Sequence, residues 1–164
     1  MKSKYIAESG LLVSLTLIIL YGTSILPIST LSILTIASCL IPIAIIRTSV
    51  KSSILIYIAS SILSFLLVPT NIAIYYMLFF GLYGIIKYFI EKIRNFPIEL
   101  LSKIIAFNIL LTIIYLITKS FLGIIPPNIA LWILWLAAQI IFLIYDYALT
   151  LAISFFLNKF NKHL

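Results

Sequence analysis

The chain has 164 residues, of which 64% are hydrophobic and 9% charged, and its mean hydropathy is +1.28. Soluble domains are about 45–50% apolar and about 25% charged, so a soluble protein of this composition would expose large apolar patches. A disordered chain is excluded as well, because disorder requires low hydrophobicity. The composition therefore predicts an all-α integral membrane protein in which residues 1–164 form one transmembrane domain.

Residue counts also exclude several kinds of chemistry. The single cysteine, Cys39, cannot form an intrachain disulfide. The single histidine, His163, leaves too few residues for a zinc site or a nucleophile–histidine pair. None of the five glycines belongs to a phosphate-binding loop that leads into Lys and Ser or Thr. We therefore expect no catalytic residues, no metal site and no bound cofactor.

Long uncharged stretches predict six transmembrane helices, since about 20 mostly apolar residues cross the hydrocarbon core of a bilayer. The 38 uncharged residues from 9 to 46 are too many for one helix and divide at Pro27, because proline disrupts a helix and the following Ser and Thr favour a turn. Residues 52–86 divide in the same way at Pro69. The predicted helices, paired as three hairpins, are 7–26, 31–46, 52–68, 71–88, 104–122 and 131–157.

The basic residues predict the orientation of these helices. The predicted topology puts Lys119 on one side and the other ten Lys and Arg residues on the opposite side, namely Lys2, Lys4, Arg47, Lys51, Lys87, Lys92, Arg94, Lys103, Lys159 and Lys162. Because cytoplasmic loops are rich in Lys and Arg, we expect both termini in the cytoplasm and the protein in the cell membrane. This placement accounts for the net charge of +7 without a nucleic-acid partner.

The connections between the helices are predicted to be short on the outer side, near 27–30, 69–71 and 123–130. The longest connection is 87–103 on the cytoplasmic side, which mixes charged and apolar residues and is divided by Pro97. Such a segment is expected either to lie on anionic lipid headgroups or to form a cytoplasmic docking surface.

Asp146 is the most informative single residue. It follows Leu131 by fifteen residues, so it lies about 22 Å along its helix from the outer end. An ionised carboxylate at that depth costs at least ~2.5 kcal/mol, and intramembrane acids are often functional. No obvious intramembrane Lys or Arg partner is present, which predicts a protonated carboxyl. Asp146 is therefore either a functional group or a structural residue hydrogen-bonded to a neighbouring tyrosine or helix.

Helical spacing places Asp146 on one face with four other residues: Trp132, Trp135, Gln139 and Phe142. The two tryptophans alone are explained by the aromatic belt at the membrane surface. Gln139 lies on the same face but deeper. Together these side chains predict a pocket that opens outward, with indole surfaces for a flat ligand and polar groups to orient it.

Two further polar residues are candidates for ligand binding. Asn108 on the fifth helix is also explained as a hydrogen-bonding contact between helices, with a contribution of about 0.6 kcal/mol. Tyr75 near the outer end of the fourth helix is also explained as a belt residue.

Small residues predict two places where helices approach closely. Ala7, Gly10 and Ser14 share one face of the first helix, which another helix of this chain or a partner protein would contact. Gly81 and Gly84 form a second such patch on the fourth helix.

The chain resembles a substrate-binding S-component of an energy-coupling factor (ECF) transporter. The features that they share are six short helices, cytoplasmic termini and small residues near the start of the first helix. The resemblance covers the whole chain in size and topology. The first helix of that family often carries Ala-x-x-x-Ala for docking, where this chain has Ala7-x-x-Gly10-x-x-x-Ser14.

The resemblance implies a ligand, a vitamin or a metal, bound near the outer surface by external loops and late helices. In this chain that region includes the face of Trp132, Trp135 and Gln139. It also implies separate partners, namely a transmembrane coupling subunit and two cytoplasmic ATPases, and a lipid bilayer around them.

Two other functions remain open. The rod-shape-determining MreD-type family has a similar length and helix number and acts as a scaffold for wall synthesis. Its usual glycine-plus-aspartate motif after a middle helix is replaced here by Gly81-Leu82-Tyr83-Gly84 followed by Lys87. The third possibility is a subunit of another membrane complex.

Overall fold

The computed structural model describes residues 3–25, 29–121 and 131–161. Within these residues the chain forms six helices and no strand. Each helix contains a stretch that is long and apolar enough to cross a membrane, as the composition predicts. The helices are α1 (Ser3–Ile25), α2 (Thr30–Arg47), α3 (Val50–Leu67), α4 (Thr70–Glu91), α5 (Phe96–Phe121) and α6 (Leu131–Asn161).

Some of the predicted features fall outside the described residues. These are residues 27 and 28 of the outer loop at 27–30, the whole of the loop at 123–130, and Lys2, Lys162 and His163.

Local sequence explains where the described helices begin. The Ser49 side chain accepts a hydrogen bond from the backbone N–H of Ser52 at 3.2 Å, which caps the start of α3. Pro69 immediately precedes α4, so the predicted break at that position is confirmed.

The prediction of a long loop at 87–103 is wrong. Helix α4 continues to Glu91, and α5 begins at Phe96, so the connection consists of residues 92–95. Pro97 does not divide this segment. It is the second residue of α5, where a proline is tolerated because the first N–H groups of a helix have no partner within it. As a result, Lys87 and Lys103 belong to helices.

Helices α2 and α4 form the centre of the bundle and are the most buried of the six spans. Helices α1 and α3 pack on one side of them, through a cluster that includes Leu12, Ile41 and Ile56. On the other side, α5 and α6 pack through a larger cluster that is rich in aromatic residues. Apolar side chains such as Leu66 and Phe155 point outward, as expected for a surface surrounded by lipid.

The two glycines of α4 allow this close packing, as predicted. A Cβ atom on Gly84 would lie 2.9 Å from Cδ of Pro42 in α2. A Cβ atom on Gly81 would lie 2.8 Å from a ring carbon of Tyr57 in α3. Any side chain at these positions would push α4 away from the helices that it crosses.

The middle of α4, Tyr76–Phe80, is a π-helical segment. The Tyr57 hydroxyl donates to the carbonyl of Met77 at 2.7 Å, and the hydroxyls of Tyr76 and Ser60 lie 3.0 Å apart. One extra residue in a helical turn rotates everything that follows by about 100°. This rotation sets the direction in which the second half of α4, which carries Lys87, faces its neighbours.

The small-residue face of α1 is uncovered. Ala7, Gly10 and Ser14 are exposed, and a Cβ atom on Gly10 would meet nothing within 4 Å. This face therefore packs against no other described part of the chain. Contact with a partner protein stays a prediction.

Candidate functional site

The facing sides of α5 and α6 are organised in three layers. Residues four apart in a helix lie about 6 Å apart along its axis, so successive layers are separated by one turn. The layers are an ionic cluster, a set of stacked rings and an open cavity. One residue of each helix marks each layer: Lys103 with Asp146, Phe107 with Phe142, and Leu111 with Ala138.

The cavity has a volume of about 520 Å³ and lies between α5 and α6, at the end of the bundle that carries Lys119. Trp132 and Trp135 line it from α6, and Tyr115 and Thr112 line it from α5. Both indoles are at least half exposed. The two tryptophans of the chain thus meet at one concave surface, and the facing residues come from α5.

Gln139 and Asn108 lie one turn further into the bundle than Trp135 and Thr112. The Gln139 Nε2 donates to Oδ1 of Asn108 at 2.8 Å, and the Asn108 Nδ2 donates to the carbonyl of Ile104 at 2.8 Å. The two amides connect α5 to α6, which agrees with a hydrogen-bonding contact between helices for Asn108.

The structure separates the remaining candidates from this cavity. Tyr75 is half-buried and packs against the aromatic core of the bundle. Asp146 lies one turn beyond Phe142, in the ionic cluster. Helical spacing predicts a single pocket along this face of α6. In the structure, the residues of that face are divided among the three layers.

The middle layer consists of aromatic rings in close contact. Phe107 and Phe142 are stacked, with ring centroids 4.2 Å apart and an interplanar angle of 12°. Tyr83 of α4 meets Phe142 edge-on at 5.3 Å. The Tyr145 hydroxyl donates to Oγ of Ser38 in α2 at 3.0 Å. These rings lie between the cavity and the ionic cluster and join four helices.

The ionic cluster is centred on Asp146. One of its carboxylate oxygens, Oδ1, accepts hydrogen bonds from Nζ of Lys87 and, at 2.7 Å, from the Tyr83 hydroxyl. The other, Oδ2, lies 3.2 Å from Nζ of Lys103. The prediction that Asp146 has no basic partner is wrong, because Lys87 and Lys103 are inside the helices. The carboxylate of Asp146 therefore contacts the ammonium groups of two lysines, one at each oxygen.

Two glutamates and a threonine complete the cluster. The Glu91 Oε1 lies 2.9 Å from Nζ of Lys87 and 3.1 Å from Nζ of Lys103. Glu99 pairs with Lys103 at 2.6 Å, and the Thr150 hydroxyl accepts from Lys87 at 2.8 Å. The two lysines are 1% and 5% exposed. Charges so buried require well-placed partners, and here these partners come from α4, α5 and α6.

Sequence reasoning missed the lysines and glutamates of this cluster. Their signal was present as two pairs spaced four residues apart, Lys87 with Glu91 and Glu99 with Lys103. Such pairs support a helix. Because the segment 87–103 contains most of the charge in the middle of the chain, sequence reasoning places Glu91, Glu99 and Lys103 in a connection between helices.

No family model, curated protein or solved structure matches this chain. Its function is therefore inferred from the geometry of these layers.

Proposed function

We propose that this chain is the membrane-embedded substrate-binding subunit of an uptake transporter of the ECF type. The observation that carries the proposal is the cavity of about 520 Å³ in which both tryptophans line one wall. Its volume lies in the range of about 300–1,000 Å³ that is typical of small-molecule sites. It lies near the end of the bundle that carries Lys119, and much of its lining is exposed. The stacked rings lie between it and the ionic cluster.

The lining residues indicate the class of ligand. The indoles of Trp132 and Trp135 and the ring of Tyr115 offer aromatic surfaces, and the Thr112 hydroxyl is a polar group among them. No charged residue lines the cavity among the described residues. These surfaces suit a flat, uncharged or weakly polar molecule such as the ring system of a vitamin.

The proposal includes an orientation and partners. The excess of Lys and Arg on the side opposite Lys119 supports cytoplasmic termini, so that the cavity faces outward. The uncovered face of Ala7, Gly10 and Ser14 supports the docking of a transmembrane coupling subunit, because small residues let another helix approach closely. Two cytoplasmic ATPases would supply the energy.

Tryptophan fluorescence tests ligand binding directly, since the chain contains two tryptophans and both line the cavity. We expect one member of a panel of flat, uncharged ring compounds, such as riboflavin, lumichrome and nicotinamide, to quench or shift the emission of the purified chain in a saturable manner. Ala138→Leu should abolish the effect because the larger side chain fills the lining of the cavity. Ala148→Leu adds the same side chain to an exposed position of α6 and is the matched control.

Binding at another site, or no binding at all, would give different results. A fluorescence change that persists in Ala138→Leu would place the ligand elsewhere. A chain that responds to no member of the panel, nor to a wider set of flat cofactors, would contradict a substrate-binding subunit.

Copurification in mild detergent tests the partners. A coupling subunit and ATPases should be recovered with the chain, and Gly10→Leu should reduce their recovery relative to Ala148→Leu. Recovery of cell-wall synthesis enzymes in their place would overturn the transporter proposal in favour of an MreD-like scaffold.

A further inference from the structure

A second cavity, of about 350 Å³, lies at the opposite end of the bundle from the tryptophans. Helix α2 contributes Pro42 and Ile46 to its wall, and α6 contributes Ile153 and Leu157. These four residues make one side of the cavity apolar. Gly84 of α4, which packs closely against Pro42, also lines the cavity.

The rim of this cavity is basic. Lys92 and Arg94 line it from the connection between α4 and α5, and Tyr88 lines it from the last turns of α4. Among the described residues, neither Lys92 nor Arg94 has an acidic side chain within ion-pairing distance. The rim therefore combines two cations with the phenol of Tyr88.

The other charged residues at the cavity are already paired. Lys87 contacts Asp146, Glu91 and Thr150, which together use the donors of its ammonium group. Glu91 is held between Lys87 and Lys103. Glu91 is thus ion-paired to both lysines, but the two lysines and the three carboxylates of the cluster together leave a net charge of −1. Lys92 and Arg94 add two positive charges, so the cavity and the cluster together are positive by one charge.

We propose that this cavity binds the phosphate group of an anionic phospholipid, with the acyl chains along the apolar wall. A phosphate diester carries a negative charge that can pair with Lys92 and Arg94, which have no acidic partner in the described part of the chain. The guanidinium group of an arginine also matches phosphate oxygens with two parallel hydrogen bonds. Basic pockets between transmembrane helices commonly hold such headgroups. A phosphate anion from solution shares this chemistry but has no group to cover Ile46, Ile153 and Leu157.

The test measures thermal stability of the purified full chain in detergent, with phosphatidylglycerol, phosphatidylcholine or inorganic phosphate added. Phosphatidylglycerol should raise Tm by several degrees, because a ligand that binds the folded state stabilises it. Lys92→Gln and Arg94→Gln should each lose most of this rise. Arg94→Lys should retain part of it, because the charge remains but the two parallel hydrogen bonds are lost. Lys51→Gln removes one charge at an exposed position outside the cavity and is the matched control.

Three outcomes would overturn the proposal. The first is an equal rise with phosphatidylcholine, which would show that the acyl chains alone are sufficient. The second is an equal rise with inorganic phosphate, which would assign the site to a free anion. The third is an equal loss in Lys51→Gln and Lys92→Gln, which would show attraction to the general positive charge of the chain.

Discussion

Lys87 of α4 and Asp146 of α6 form an ion pair in which the lysine side chain is 1% exposed and the aspartate side chain 15% exposed. The two residues are 59 positions apart in the sequence. Lys103 of α5 approaches the other oxygen of the same carboxylate. The carboxylate of Asp146 is therefore the point at which three helices are joined by charge.

Replacing Asp146 should destabilise the fold strongly. Asp146→Leu leaves Lys87 and Lys103 without the carboxylate between them, and breaking a buried pair in this way costs about 3–5 kcal/mol. Asp146→Asn should cost less because an amide oxygen still accepts hydrogen bonds from Lys87 and Tyr83. The measurement is thermal unfolding followed by the reaction of a thiol-specific dye with Cys39, the single cysteine, which is half-buried in the folded chain.

The double variant Lys87→Met with Asp146→Leu distinguishes charge from packing. Removing both partners should recover a large part of the stability lost in Asp146→Leu, because no unpaired charge of this pair remains. Tyr147→Leu changes the neighbouring exposed residue of α6 and is the control. Equal stability of Asp146→Asn, Asp146→Leu and Tyr147→Leu would show that the carboxylate has no structural role.

Adding a methyl group to α4 should test its contact with α2. Gly84→Ala places a Cβ atom 2.9 Å from Cδ of Pro42, and overpacking of this kind costs about 1–3 kcal/mol. Gly10→Ala makes the same change where nothing lies within 4 Å, so stability should be unchanged or higher. Thermal unfolding of the two variants gives the comparison, and equal values would mean that α4 and α2 are farther apart than described.

The ring stack and the amide pair between α5 and α6 should differ in their contributions to stability. Phe142→Ala removes a buried ring that stacks on Phe107, at a cost of about 3–5 kcal/mol. A double-mutant cycle with Asn108→Ala and Gln139→Ala should give a coupling of about 0.6 kcal/mol, as is usual for hydrogen bonds between membrane helices. A coupling larger than the effect of Phe142→Ala would reverse this order and give the amides the main role in joining α5 to α6.

Labelling of introduced cysteines tests the orientation. In a Cys39→Ala background, Lys119→Cys should react with a membrane-impermeant thiol reagent added to intact cells, and Arg94→Cys should react after the cells are opened. Both positions are exposed in the structure, so access depends on the side of the membrane. The reverse pattern would invert the topology and place the tryptophan-lined cavity in the cytoplasm.

Close approaches inside the bundle could be predicted in part from residue type. Gly81 and Gly84 were expected at a helix contact, and both lie against a neighbouring helix. The equally small face of Ala7, Gly10 and Ser14 has no neighbour in the described chain. A small residue permits close contact with another helix, but its partner is determined by the arrangement of all six.

The amino-acid sequence by itself determined the membrane class and the six apolar spans. It did so because each helix in lipid must satisfy its own backbone hydrogen bonds, so the length and hydropathy of a single segment are enough to predict it. The tertiary structure alone decided that Asp146 meets Lys87 and Lys103, that Gln139 meets Asn108, and that stacked rings divide the face of α6. These contacts join residues far apart in the chain, and their geometry depends on the π-helical turn of α4 and on how closely α4 crosses α2. The sequence therefore shows how many charged residues the chain has and where they lie along it. The packing of the helices determines which of them are paired.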